Sequence, residues 1–205
     1  MKARSAGSAA GLAVLAAATL LLARKAPSPS EAQVPPAGVV DSAIPREEAL
    51  RRFRVGLLPT DSLEGGEGSL EALVISFVKA LETRDTAAFG RLALSQREFA
   101  YVYYETNPQS LPPYDLSPSL YWFMLEGGSR GGLSKTLQNL GGIPLHYSRT
   151  RCEGEPSREG QNTVYGPCVV VRQAGHPDSL VQRLFGPIIE RRGRWKFVSY
   201  ANKLD

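Results

Sequence analysis

The side chains with chemistry to offer are few and scattered. Asp115 follows Tyr114 in PPYDLSP, a carboxylate beside an aromatic hydroxyl, which is what a general base at a cavity mouth would use. The same aspartate could instead turn or cap the chain ahead of Ser117. His146 alternates with Leu145 and Tyr147, which puts it on the strand face opposite Ile143, Leu145 and Tyr147, either touching a ligand or standing in solvent. Tyr121 and Trp122 point to different sides of a short helix. An exposed ring there, beside Tyr114, would stack on a sugar or grip a partner; otherwise one ring anchors the core and the other shields it. Tyr103 sits in FAYVYY (Phe99–Tyr104), four aromatic rings in six residues. Helical spacing gathers Phe99, Val102 and Tyr103 on one buried side, with Tyr101 and Tyr104 flanking it. Tyr103, Tyr114, Asp115, Tyr121, Trp122 and His146 are therefore the ligand-binding candidates.

Catalytic and metal signatures do not appear. GGSRGG (Gly127–Gly132) has the glycines of a phosphate-cradling loop, but it follows a helix and lacks the Gly-Lys-Ser/Thr ending. No serine sits in a Gly-x-Ser-x-Gly elbow. The two cysteines alone cannot close a zinc site, and neither His146 nor His176 has ligand spacing to them. We assign no catalytic residue, no metal and no cofactor.

The elements that must position these residues come in two blocks. Leu70, Leu73, Val74, Phe77, Val78 and Leu81 mark one face of a helix capped by Ser69. Asp85 starts a second helix, and Ser95-Gln-Arg-Glu98 matches a capping box for a third. Ser117-Pro118 starts a helix that the glycines at 127–128 end, and Ser129 starts another that Gly141-Gly142 ends. After Gly142 the period becomes two: IPLHYSRTRC, TVYGPCVVVRQ, SLVQRLFGPIIER and RWKFVSYA read as four strands, with a tight turn at Arg192-Gly193. If the first hairpin turns near Gly160, Cys152 and Cys168 are equidistant from the turn and face each other. A disulfide between them would close a loop of the length for which chain entropy gives ~3 kcal/mol. Before Ser69, residues 45–57 form a short helix with Glu47 and Glu48 at its start and Arg51, Arg52 and Arg54 at its end.

The N-terminus reads as a targeting segment. Lys2 and Arg4 precede the apolar run Ala9–Ala23, and Ser30-Glu31-Ala32 offers small residues before Gln33. Residues 1–32 are thus a signal peptide cleaved near Ala32, or an uncleaved anchor, of an exported protein in the periplasm or cell envelope. An even cysteine pair suits that compartment. Residues 33–68 are a Pro/Ser-rich linker carrying the short helix, and 69–205 form the α+β domain. Four of the 24 Lys+Arg and one of the 20 Asp+Glu precede Gln33, which leaves 20 against 19 in the remainder. That near-neutral balance, with no face of interleaved cations and aromatics, argues against nucleic acid, and contact with a membrane would come only through the N-terminal segment.

The helices-first order, the phrase ALETRDTAAFGRL and the final RWKFVSY strand resemble the nuclear transport factor 2-like superfamily, which includes SnoaL-like cyclases and ketosteroid isomerases. The resemblance covers about Ser69 to Asp205. It implies N-terminal helices packed on a curved antiparallel sheet of about four strands, a cone around a cavity. It also implies a possible homodimer through the sheet face. The enzymes of that superfamily place an aspartate base or an Asp-His pair in the cavity, and no position here matches those motifs. The expected function is therefore an exported, non-enzymatic domain that binds a small apolar ligand or an envelope protein. The alternative is a SnoaL-like isomerase or hydrolase with Asp115 or His146 as base and a tyrosine as donor.

Overall fold

The computed structural model describes residues 44–173, 179–202 and 204. The expectations for residues 1–32, for the tether after them and for His176 fall outside these. The compact unit runs from Ala43 to Asp205. It is α+β, with five helices followed by two antiparallel sheets.

The helical block obeys its local chemistry. Helix α1 (Arg46–Phe53) begins after Pro45 with Glu47 and Glu48 in its first turn and ends in Arg51 and Arg52, complementing its dipole. It lies against the domain: Leu50 and Leu63 are buried in the same core as Phe99, and the Arg54 guanidinium donates to the Ala100 carbonyl at 2.7 Å. Within the stretch read as linker, residues 46–63 thus pack onto the α+β domain. Ser69 Oγ caps α2 (Leu70–Thr83) by accepting from Ala72 N at 3.1 Å, and Asp85 caps α3 (Thr86–Leu92) through Ala87 N and Ala88 N. Both halves of the Ser95–Glu98 capping box form at α4 (Gln96–Glu98). The chain continues into a π-helical turn, Phe99–Tyr103, closed by Tyr104 N donating to Phe99 O. That wider turn buries Phe99, Val102, Tyr103 and Tyr104 together.

One expectation fails in this block. The glycines at 127–128 do not end a helix, because α5 runs unbroken from Pro118 to Leu140. Helix propensity disfavours GGSRGG, but tertiary packing overrides it. The segment Tyr200–Asn202 lies along this part of α5. A Cβ on Gly132 would sit 2.0 Å from Tyr200 O, and one on Gly128 would touch Ala201 Cβ at 3.5 Å. Ser129, expected to cap a new helix, accepts from Tyr200 N instead, and Asn202 Nδ2 donates to Gly132 O at 2.8 Å.

The strands differ from expectation in a related way. The four expected strands are present as a meander, but two of them break in the middle and one further strand forms between the first and the second, which makes seven short strands in two sheets rather than one. The first gives β1 (Tyr147–Cys152), β2 (Ser157–Glu159) follows in a stretch not expected to be a strand, and the second gives β3 (Asn162–Tyr165) and β4 (Cys168–Gln173). The third gives β5 (Ser179–Gln182) and β6 (Ile188–Arg191), and β7 (Arg194–Phe197) ends the series. The sheets run β1-β4-β5 and β2-β3-β6-β7. Gly166-Pro167 and Gly186-Pro187 fall at the two breaks. Proline cannot donate to a ladder, and Gly166 has φ +149°, which favours glycine. The β2–β3 hairpin does turn at Gly160, so Cys152 pairs with Cys168 across β1 and β4 and the two form a disulfide. Arg192 and Gly193 both take positive φ between β6 and β7, as a two-residue hairpin requires.

Both faces of the four-stranded sheet are covered. Ile188 and Phe197 point into a core with Leu73, Phe77 and Leu81 of α2. Their neighbours Ile189 and Val198 point the other way, into a core with Leu50, Phe99 and Tyr121. Helix α5 serves both cores, Tyr121 in the second and Leu140 in the first.

Candidate functional site

Of the six sequence candidates, the fold brings two together. The Tyr103 and Tyr121 oxygens lie 3.3 Å apart, buried between the π-helical turn and α5. Asn107 joins them: Tyr121 OH donates to Asn107 Oδ1 at 2.9 Å, and Asn107 Nδ2 donates to Tyr103 OH at 2.8 Å and to Glu159 Oε2 at 3.0 Å. Ser157 Oγ donates to the other Glu159 oxygen at 3.2 Å. Burial, first of all, pushes both tyrosines above their ordinary range, so both hydroxyls stay protonated. Trp122 is half-buried and packs on Phe99 at 5.2 Å between ring centroids, and Phe99 also meets Tyr121 at 5.4 Å and Tyr104 at 5.6 Å. The aromatic run is core around Phe99, with one satisfied polar network inside it.

Asn107 and Glu159 escaped the sequence reading. Asn107-Pro108 is a turn-starting dipeptide, and Asn107 Oδ1 does accept from Gln109 N at 2.9 Å, so its cap was legible although its link to Tyr103 was not. Glu159, just before the Gly160 turn, looks like any solvated hairpin residue. Burial raises its carboxyl above the ordinary range, opposed by the hydrogen bonds from Asn107 and Ser157. A carboxyl raised on folding contributes its full stability below its unfolded pKa and loses it as pH climbs through the folded value. Glu159→Gln, which keeps an acceptor for Asn107, is therefore expected to melt above the wild type at neutral pH. The advantage should vanish below about pH 4, where the unfolded carboxyl is also protonated. Paired thermal melts read this directly, and a variant less stable at neutral pH would show that the ionised carboxylate favours the fold.

The other candidates lie elsewhere. Tyr114 is 59% exposed on a turn in which Tyr114 N and Asp115 N both donate to Leu111 O, and Asp115 takes φ +44°. Asp115 turns the chain before the Ser117 cap. His146 is exposed, with φ +49°, just ahead of β1. Leu145 is buried as the alternation required, but Ile143 is exposed.

His146 lines an open cleft of about 540 Å³ between α2 and the start of β1. Ile75, Val78 and Pro144 give it apolar walls, with Glu82 and Tyr147 at its polar margin. The margin is held in place. Glu82 Oε1 accepts from Leu145 N at 2.6 Å, and Tyr147 OH donates to Glu71 Oε1 at 2.7 Å. Burial, with Glu71 adding to it, pushes the Tyr147 hydroxyl up to about 12. A second hollow, of about 350 Å³, lies on the other flank of α2, between α3 and the Gly65–Glu67 loop. Both volumes are within the range of small-ligand sites. Among the described residues no three His, Cys, Asp or Glu side chains gather as metal ligands, and no helix is long and apolar enough to cross a membrane. The chain matches no family model, no curated protein and no solved structure.

Proposed function

We propose that this chain is an exported, non-enzymatic domain that binds a small molecule with an apolar body in the cleft between α2 and β1. The observation that carries the proposal is the cleft itself, whose apolar walls Ile75, Val78 and Pro144 sit beside polar groups already fixed by hydrogen bonds. The centre of the fold supports the same reading, because it is filled. Phe77 meets Phe89, Phe185, Phe197 and Tyr200 at ring-centroid distances of 5.3–5.7 Å, where an interior ligand would otherwise sit. The helices-first order and the bent meander support a nuclear transport factor 2-like cone, here closed by its own side chains. The disulfide is compatible with export. The SnoaL-like alternative needs an acid-base pair facing substrate. Asp115 is on an exposed turn, and no carboxylate is hydrogen-bonded to His146 among the described residues.

The test is titration of the full, oxidised chain with the neutral fluorophore N-phenyl-1-naphthylamine. Saturable binding at one site is expected. Ile75→Glu, on the exposed side of α2, should weaken it at least about tenfold with an unchanged melting temperature. Unsaturable binding, or binding indifferent to that substitution, would remove the cleft from consideration.

A further inference from the structure

We infer that the occupant of the α2–β1 cleft is a carboxylate amphiphile, its tail in that cleft and its head in the neighbouring hollow, bound by Lys79 and Arg91. This rests on the cleft being a binding site, as proposed above.

The two hollows adjoin. Lys79 and Thr83 line both, while Ile75 and Val78 line only the cleft and Ser76 and Ala80 only the second hollow. At 100° per residue this order places Lys79 and Thr83 on the ridge of α2 between them. A ligand longer than either hollow would cross that ridge from an apolar compartment into a polar one.

The polar compartment has unspent donors. Four charged residues line it: Glu67, Lys79, Asp85 and Arg91. The two carboxylates already have partners, Glu67 Oε1 accepting from Ser76 Oγ at 2.7 Å and Asp85 Oδ1 from Ala87 N and Ala88 N at the start of α3. The side chains of Lys79 and Arg91 are exposed and have neither a hydrogen bond nor an ion pair among the described residues, so both can turn to an incoming acceptor. The formal charges of the hollow already sum to zero, which disfavours a doubly charged phosphate. A carboxylate brings a single charge in the planar geometry that a guanidinium fork matches.

The experiment is displacement of N-phenyl-1-naphthylamine from the full chain by n-decanoate, n-decanol and n-decylamine, equal in chain length and different in head. Decanoate is expected to displace the probe at a concentration at least about tenfold below decanol, with decylamine weakest. In the double variant Lys79→Gln/Arg91→Gln the acid should lose its advantage over the alcohol. Added salt should weaken decanoate alone. Acid and alcohol displacing equally in the wild type, decylamine displacing best, or an acid preference that survives the double variant would each overturn the carboxylate head and leave the apolar cleft standing. A probe that never binds the cleft would remove both.

Discussion

Lys196→Met is expected to lower the unfolding free energy by about 3–5 kcal/mol, because it strands a carboxylate inside the protein. Lys196 lies on β7 and Glu98 at the end of α4, with side chains 3% and 1% exposed. The ammonium uses all three donors: Glu98 Oε1 at 3.0 Å, Glu98 Oε2 at 2.8 Å and the Glu64 carbonyl at 2.8 Å. Glu98 also accepts from Glu64 N, Ser95 N and Ser95 Oγ, so both ions are fully solvated by protein. A buried pair in this state adds little over an apolar pair of the same shape, but losing one partner is costly. Glu98→Gln/Lys196→Met removes both charges and keeps the capping-box acceptor, so it should recover most of the loss. Urea denaturation of the wild type, the two single variants and the double variant gives the coupling. If Lys196→Met cost less than about 1 kcal/mol, the pair would behave as a surface one, with water reaching it.

Lys196 also shows where sequence reading stopped. In RWKFVSY a lysine between Trp195 and Phe197 suggests a strand with one wet face. The face is dry because α4 and the Glu64–Gly66 stretch cover it, and the glutamate that pairs with it is 98 residues away. Local chemistry was legible: the caps at Ser69, Asp85, Ser95 and Ser117, the Arg192-Gly193 turn, and the Gly160 turn that pairs Cys152 with Cys168 all depend on neighbours in the chain. Distant contacts decided the rest. Hydrophobic runs through Gly166-Pro167 and Gly186-Pro187 looked continuous, although each passes from one sheet to the other. The site divides in the same way. Tyr103 and Tyr121 could be named by residue type and helical spacing, but Asn107 and Glu159 meet them only through the folded topology. Lys79 and Arg91 are exposed helix charges, and only the fold places them along one hollow, between α3 and the Gly65–Glu67 loop.

Gly132→Ala and Gly127→Ala are expected to shift stability in opposite directions although they add the same methyl to the same helix. At Gly127 an added Cβ meets nothing within 4 Å, so alanine should stabilise by about 1 kcal/mol through helix propensity alone. At Gly132 the Cβ would lie 2.0 Å from Tyr200 O and 2.8 Å from Tyr200 C, backbone atoms that no rotamer change can move. Overpacking against them should cost about 3 kcal/mol, which separates the two variants by about 4. The loss reaches beyond α5. Ser129 Oγ holds Tyr200 N, and Tyr200 OH donates to Phe89 O at 2.8 Å inside the aromatic core. Displacing Tyr200 therefore loosens the packing around Phe77 as well. Chemical denaturation of the two variants reads the separation, and a further lowering of the m-value in Gly132→Ala would report the opened core. If both alanines stabilised alike, the Tyr200–Asn202 segment would not be seated on α5. The helix through GGSRGG would then have lost the packing that accounts for it.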